Sequence, residues 1–364
     1  MIPVFEPWLP DNVRRYVLDC VESGWISSLG EYVPRFERAF SRFCGTAHGV
    51  ATANGTTAIH LALAVLGVGP GDEVLVPDLT FVATANAVRY TGATPVLVDV
   101  DPGTWGMDPH QARAKLTPRT KAILPVHLYG HPVEMDPILD LADRHGLWVV
   151  EDAAEAHGAR YKGRPVGGLG HLGCFSFYGN KIVTTGEGGM VVTDDPALAE
   201  QLAFLRDHAM DPKRRYYHPA VGFNYRMTNI QAAIGCAQLE AIDEIVARRR
   251  RIAEVYARGL AGIPGLGPQP RAGWAEPVCW MFSVLVEEAF GLDRAEVITG
   301  LRERGVDSRP FFVPLHELPP YRAGAPYPVA EALGRKGLNL PSGNRLTPEQ
   351  IETVCRALRE LARR

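Results

Sequence analysis

Gly173-Cys174-Phe175-Ser176-Phe177-Tyr178-Gly179-Asn180-Lys181-Ile182-Val183-Thr184-Thr185-Gly186-Glu187-Gly188-Gly189-Met190-Val191-Val192-Thr193 decides the reading of this chain. Two short apolar runs of strand character flank a polar turn, and one lysine sits at its start. A surface hairpin with a solvated lysine needs one or two glycines. This turn has Gly179, Gly186, Gly188 and Gly189. Such density suits backbone that approaches a ligand closely. A lysine in a dry cleft can have its charge suppressed and become a nucleophilic amine. The chemistry that calls for such an amine is a Schiff base, as with pyridoxal phosphate. That cofactor also needs an anion for its ring nitrogen and a cradle for its phosphate.

Both are present upstream. Asn54-Gly55-Thr56-Thr57 follows the short strand His48–Thr52 and opens a helix. Free N–H groups and the helix dipole make such a start an anion site, and equally a plain N-cap. Asp152 follows the apolar run Leu147-Trp148-Val149-Val150. It can pair with a cationic ring nitrogen, bind a metal or form a structural salt bridge, and no Asp/Glu/His cluster accompanies it.

Between residues 73 and 152 short apolar runs alternate with helical segments. This predicts a mainly parallel sheet covered on both faces, with ligands beyond the carboxyl ends of its strands. Thr80-Phe81 and Glu151-Asp152 fall at such ends. Gly168-Leu169-Gly170-His171-Leu172-Gly173 fits GxGxxG, but it opens a strand instead of a helix, so a dinucleotide fingerprint is rejected. The pattern predicts one long helix from about 229 to 258, leading into a second domain entered past Pro264, Pro268 and Pro270. The expected division is a large domain over 1–250 and a small one over 251–364.

The 364 residues carry a net charge of -3, which leaves no electrostatic footprint for nucleic acid or a membrane surface. The one basic run, Arg248 to Arg251, reads as a solvated helix face. Six scattered cysteines without CxxC spacing argue for a reducing, cytoplasmic setting. The N-terminus lacks a signal-peptide pattern, and no apolar run is long enough to span a bilayer.

Seven segments in order resemble the nucleotide-sugar aminotransferases of the DegT type: SGWISSLG from Ser23, ANGTTAIHLAL from Ala53, VPDLTFVATANAV from Val76, VEDAAEAHGA from Val150, FSFYGNKIVTTGEGGM from Phe175, GFNYRMTNIQAA from Gly222 and RPFFVPLH from Arg309. The resemblance implies the fold type I, aspartate aminotransferase-like architecture: a mainly parallel central sheet in a large domain, with a smaller α+β C-terminal domain. It also implies pyridoxal 5'-phosphate as cofactor. Lys181 would form the Schiff base and shuttle the proton, and Asp152 would pair with the ring nitrogen. Phe81 would stack on the ring, Gly55, Thr56 and Ser176 would hold the phosphate, and Glu155 would sit near the ring hydroxyl. Asn224 would reach the cofactor of a partner subunit, which implies a homodimer with shared sites. Trp25, Ser27, Ser28 and His316 would lie near the nucleotide sugar, and Arg226 or Arg309 would bind the carboxylate of L-glutamate. Several segments look most like the branch that aminates carbon 4 of GDP-4-keto-6-deoxymannose. One departure is Ala209 in His208-Ala209-Met210, where the family pattern has glycine. The alternatives are a dTDP- or UDP-linked keto sugar, a cyclitol, or a non-enzymatic regulator on the same fold. The related dehydratases carry histidine in place of the lysine, and Lys181 argues against them.

Overall fold

The computed structural model describes residues 1–322 and 324–362. Its centre is a seven-stranded sheet of β1 His48–Thr52, β2 Glu73–Pro77, β3 Thr94–Val98, β4 Thr120–Ile123, β5 Trp148–Asp152, β6 Leu172–Ser176 and β7 Gly189–Thr193. The spatial order is β1-β7-β6-β5-β4-β2-β3. From β3 to β6 every pairing is parallel, whereas β7 runs antiparallel to both β6 and β1. β2, β6 and β7 are buried at every position. Strands covered on both faces read as unbroken apolar runs, which is why the alternation in the sequence was decisive.

Helices pack on this sheet: α1 Asn12–Ser23, α2 Tyr32–Cys44, α3 Gly55–Val65, α4 Ala83–Tyr90, α5 Pro109–Ala114, α6 Met135–His145, α7 Pro196–Arg206 and α8 Asn229–Glu240. The single long helix expected from 229 to 258 is two helices, α8 and α9 Ile242–Leu260, broken at Ala241. Glu240, the last residue of α8, accepts hydrogen bonds from Tyr16 Oη at 2.7 Å and Arg35 Nη2 at 2.7 Å. These contacts fix α8 against α1 and α2, and the break lets α9 leave toward the C-terminal part.

That part holds a four-stranded sheet of β8 Leu266–Pro268, β9 Phe282–Val286, β10 Arg309–Pro310 and β11 Gly337–Leu340, ordered β8-β9-β11-β10. With it pack α10 Arg294–Glu303, α11 Pro328–Lys336 and α12 Pro348–Leu361. α12 starts at a capping box between Thr347 and Gln350. The chain has two hydrophobic cores, and α9 joins them: Ile245 belongs to the first, Ile252, Tyr256 and Leu260 to the second. Among the described residues, no helix is long and apolar enough to cross a membrane.

The basic run of α9 is not a solvated face throughout. Arg249 is 1% exposed, and its guanidinium donates to the carbonyls of Trp280 and Ser342. Its periodicity places it on the inward side of α9 with Ile245 and Ile252, where a long planar donor can bridge two backbone acceptors. Burial pushes its pKa down to about 9.

The GxGxxG segment also has a structural explanation. Glu151, fully buried at the end of β5, accepts the N–H groups of Gly167, Leu169 and Gly170, each at 2.7 Å. The fourth donor is His127 Nε2 at 3.0 Å, whose Nδ1 accepts from Val133 N–H at 3.0 Å. The glycine turn therefore wraps a carboxylate of its own chain. Burial pushes the Glu151 carboxyl up, but His127 and the backbone donors outweigh it and hold it below the usual range. Its stabilising contribution is present above the unfolded-state value and is lost as pH falls through the lower folded-state one. Glu151→Gln keeps one acceptor oxygen and strands two donors whichever way the amide faces. The expected loss is about 2–4 kcal/mol of stability, measured as the urea unfolding midpoint; an unchanged midpoint would mean the turn holds without the carboxylate.

Candidate active site

A cavity of ≈ 690 Å³ opens where the carboxyl ends of β5 and β6 meet the start of α3. Gly55, Thr56, Phe81 and Asp152 line it, as do Glu155, Ser176, Lys181 and Arg309. Eight residues from five separated stretches therefore converge on one space.

Lys181 sits in the loop between β6 and β7, with its side chain 11% exposed. Its Nζ stands 3.5 Å from Glu155 Oε1 and 3.9 Å from the centroid of the Trp280 ring. The walls around the amine are thus a carboxylate and an indole, not the glycines. Gly188 and Gly189 are needed because a Cβ would strike Thr185 and the Asn54 carbonyl, and Gly186 adopts a φ of 82°. Gly188 and Gly189 thus serve the protein's own close packing and Gly186 its turn.

Asp152 caps the end of β5, one residue after Glu151 and hence on the opposite face of the strand. Thr84 Oγ1 donates to its Oδ2 at 2.8 Å and Ala154 N–H to its Oδ1 at 3.1 Å. Burial raises its pKa, and those hydrogen bonds and the Lys181 charge only partly oppose that. No cation lies in salt-bridge contact with it among the described residues. Glu155 is also buried. Burial pushes its pKa up to about 7 against the opposing charge of Lys181, while Tyr129 N–H donates to its Oε2 at 2.8 Å.

The α3 start is capped by Asn54, whose side chain takes the Thr57 N–H at 2.9 Å. The first-turn N–H groups of Gly55 and Thr56 remain for a ligand. A Cβ at Gly55 would lie 2.7 Å from Ser176 Cβ, so glycine is required for the helix start and β6 to meet. Phe81 is 54% exposed at the cavity edge, 5.5 Å from the Phe312 ring.

Other residues singled out from the sequence lie outside this cavity. Trp25 and Ser27 are exposed and Ser28 half-buried on the loop after α1. Asn224 is exposed and bridges to Asp207, which also pairs with Arg226. His316 is held by Asp78, with Nδ1 2.7 Å from Oδ2 and its own N–H 2.9 Å from Oδ1, and it does not line the cavity. Ala209 is buried with a φ of 51°. A glycine would adopt that conformation freely; for a residue with a Cβ it costs roughly 1–2 kcal/mol.

Four contributors escaped the sequence reading. Thr84 fixes Asp152, Trp280 underlies Lys181, and Tyr129 holds Glu155 with its N–H. Asn229 clasps the Trp25 loop, donating to Trp25 O at 2.7 Å and to Ser27 O through its N–H at 2.5 Å. Thr84 sits one helical turn after Thr80 in a stretch already marked, so a hydroxyl near the strand end was the available signal. Trp280 lies 99 positions from Lys181 and carries no local signal.

The donor set fits pyridoxal 5'-phosphate. A buried carboxylate with no cation in salt-bridge contact among the described residues suits a protonated ring nitrogen, the Lys181 amine lines the same cavity, and helix-start N–H groups with Ser176 can take a phosphate. Comparison with known proteins agrees. The DegT/DnrJ/EryC1/StrS aminotransferase family model matches residues 9–359. The GDP-perosamine synthase of Caulobacter vibrioides is 52% identical over 360 residues, covering 98% of this chain and 97% of that protein. The dTDP-3-amino-3,4,6-trideoxy-alpha-D-glucose transaminase of Streptomyces venezuelae is 44% identical, covering 92% and 88%. The crystal structure of S. venezuelae DesV superposes with a TM-score of 0.92 at 40% identity, covering 99% of this chain and 100% of that one. With a matching family model, close full-length relatives and a cavity built for the cofactor, this chain belongs to the DegT/DnrJ/EryC1/StrS aminotransferase family, whose enzymes use pyridoxal phosphate.

Proposed function

We propose that this aminotransferase moves the amino group of L-glutamate to carbon 4 of GDP-4-keto-6-deoxymannose, giving GDP-perosamine and 2-oxoglutarate. The observation that carries the reading is that the Lys181 amine and the buried Asp152 carboxylate line one cavity with the helix-start N–H groups of Gly55 and Thr56. The choice of sugar is supported by the 52% identity to a GDP-perosamine synthase, against 44% to the dTDP-sugar transaminase.

Bound in this cavity, pyridoxal phosphate supplies an electron sink beside the carbon that exchanges its amino group. Lys181 Nζ takes the proton from the donor carbon in one half of the cycle and delivers one to the sugar carbon in the other. Asp152 keeps the ring nitrogen protonated by charge, and Thr84 and Ala154 keep Asp152 aimed. Gly55, Thr56 and Ser176 hold the phosphate. Phe81 covers a ring face and excludes water. Glu155, poised near neutrality, can hold or release a proton beside Lys181.

Arg309 is the better placed of the two arginines for the donor carboxylate, because it lines the cavity while Arg226 is paired with Asp207. Loss of a charge-assisted fork costs on the order of 10–100-fold in affinity. Arg309→Ala is therefore expected to raise the KM for glutamate by that factor and to change kcat less. An unchanged KM in steady-state assays would hand the role to another group.

The reading includes a homodimer in the cytoplasm. Asn224, Trp25 and Ser27 lie on exposed segments tied together by Asn229, where a second copy could bring its own cavity to them. Sedimentation of the purified protein tests this, and a monomer that turns over would refute it. The function itself is tested by the visible spectrum of the protein with bound cofactor. The yellow band is expected to fade with L-glutamate and to return with GDP-4-keto-6-deoxymannose. Return only with a dTDP- or UDP-linked keto sugar would keep the chemistry and replace the substrate.

A further inference from the structure

We propose that Trp280 is a positioning residue for Lys181: its indole face is the resting place of the lysine amine whenever that amine is not bonded to the cofactor, with Glu155 as counter-charge. The inference rests on the pyridoxal phosphate reading above and concerns what holds the lysine between bonding events.

The geometry is specific. Lys181 Nζ lies 3.9 Å from the Trp280 ring centroid and 3.5 Å from Glu155 Oε1. The indole is itself fixed at every polar atom. Its Nε1 donates to the carbonyl of Asn180, the residue before Lys181, at 2.7 Å. Its backbone N–H donates to Tyr129 O at 3.0 Å, and its carbonyl accepts from Arg249 Nη1 at 3.2 Å. The ring stacks on Tyr129 with centroids 6.3 Å apart and planes 21° apart. Trp280 is 4% exposed, so the contact is shielded from water. A cation over an indole is attracted most strongly where water is excluded. Asp152, Glu187 and Arg309 line the same cavity, but neither they nor any other charged group except Glu155 is in salt-bridge contact with Nζ among the described residues.

Such a contact has a thermodynamic consequence. Lysine is a flexible stem with a compact charge, and a free amine could occupy many places. A contact made only by the free amine stabilises every state in which Lys181 is unbonded. It therefore opposes formation of the lysine–cofactor bond, in which amine and aldehyde condense with loss of water. It leaves binding of the amine form of the cofactor untouched, because that form has no aldehyde and Lys181 stays free throughout. The ratio of the two affinities isolates the effect, and a general loosening of the cavity would weaken both and leave the ratio where it was.

The experiment takes full-length apoprotein and measures Kd for pyridoxal phosphate and for pyridoxamine phosphate in wild type, Trp280→Leu and Trp280→Phe. In Trp280→Leu the ratio of the pyridoxal to the pyridoxamine Kd is expected to fall on the order of ten-fold. Trp280→Phe keeps an aromatic face and is expected to shift the same way by less. An unmoved ratio in Trp280→Leu overturns the proposal. If that variant binds neither form, an unmoved ratio in Trp280→Phe overturns it instead. Wild-type protein that gives no visible band with pyridoxal phosphate would fail the cofactor reading itself, a result distinct from a normal band with an unmoved ratio.

Discussion

Replacing Lys181 with alanine is expected to lower kcat by at least about 10⁴-fold, because in the proposed mechanism the variant loses both the amine that bonds the cofactor and the base that moves the proton. Cofactor binding is expected to survive. Asp152 and the helix-start N–H groups of Gly55 and Thr56 come from other stretches, and Ser176 lies on β6, five residues before the substituted position. The fold is expected to survive as well. Glu155 loses its cationic neighbour, 3.5 Å away, but burial already pushes its pKa up to about 7. Without Lys181 it takes up a proton and avoids remaining as an uncompensated buried charge. Steady-state rates and the spectrum of the reconstituted variant check both halves: no turnover, and bound cofactor without the band of the lysine bond. Turnover within ten-fold of wild type would remove Lys181 from the mechanism.

Asp152→Asn separates activity from stability. The amide is nearly isosteric. The Thr84 hydroxyl, linked at 3.1 Å to Thr80, can reverse its donor role to suit it. Cofactor is expected to bind while kcat falls by about 10²–10⁴-fold, since a neutral partner no longer keeps the ring nitrogen protonated. The apoprotein is expected to become more stable at neutral pH. Burial raises the Asp152 pKa above its unfolded value, so the ionised group destabilises the empty protein above that pKa, and this penalty vanishes as pH falls through it. Asparagine removes the penalty at every pH. A wild-type kcat would show that another group protonates the ring; a less stable apoprotein would show that the carboxylate is already compensated.

What the sequence displayed depended on how local each cause was. Lys181 and Asp152 were legible because each stands next to an apolar strand run that fixes where it must emerge. The parallel sheet was legible because strands buried on both faces leave unbroken apolar stretches. The glycines of residues 179–189 were noticed without their causes: Gly188 and Gly189 record close approaches to Thr185 and Asn54, Gly186 a left-handed turn, and Gly179 neither. Arg249 was misread because the charge of a side chain says nothing of the two carbonyls waiting opposite it. The break at Ala241 left no mark, since no proline or glycine makes it and packing alone does. Trp280 and Tyr129 were invisible for a related reason. Trp280 meets Lys181 only after the C-terminal part has folded back on the sheet, and Tyr129 meets Glu155 only once β4 and β5 pair and bring the segments that follow them together.

The adjacent carboxylates that close β5 have a bearing on how this enzyme can vary. Glu151 anchors the architecture from one side of the strand, while Asp152 lines the cavity from the other and, in the proposed mechanism, serves the chemistry. Their division of labour depends on nothing but the odd–even count of residues along five positions. Loops elsewhere can lengthen, and the nucleotide-sugar pocket can be remodelled for new acceptors. An inserted or deleted residue between 148 and 151 would exchange the two sides, aiming the anchor at the cofactor and the cofactor's partner at the turn. Engineering and evolutionary drift alike are therefore confined here to substitutions that preserve parity.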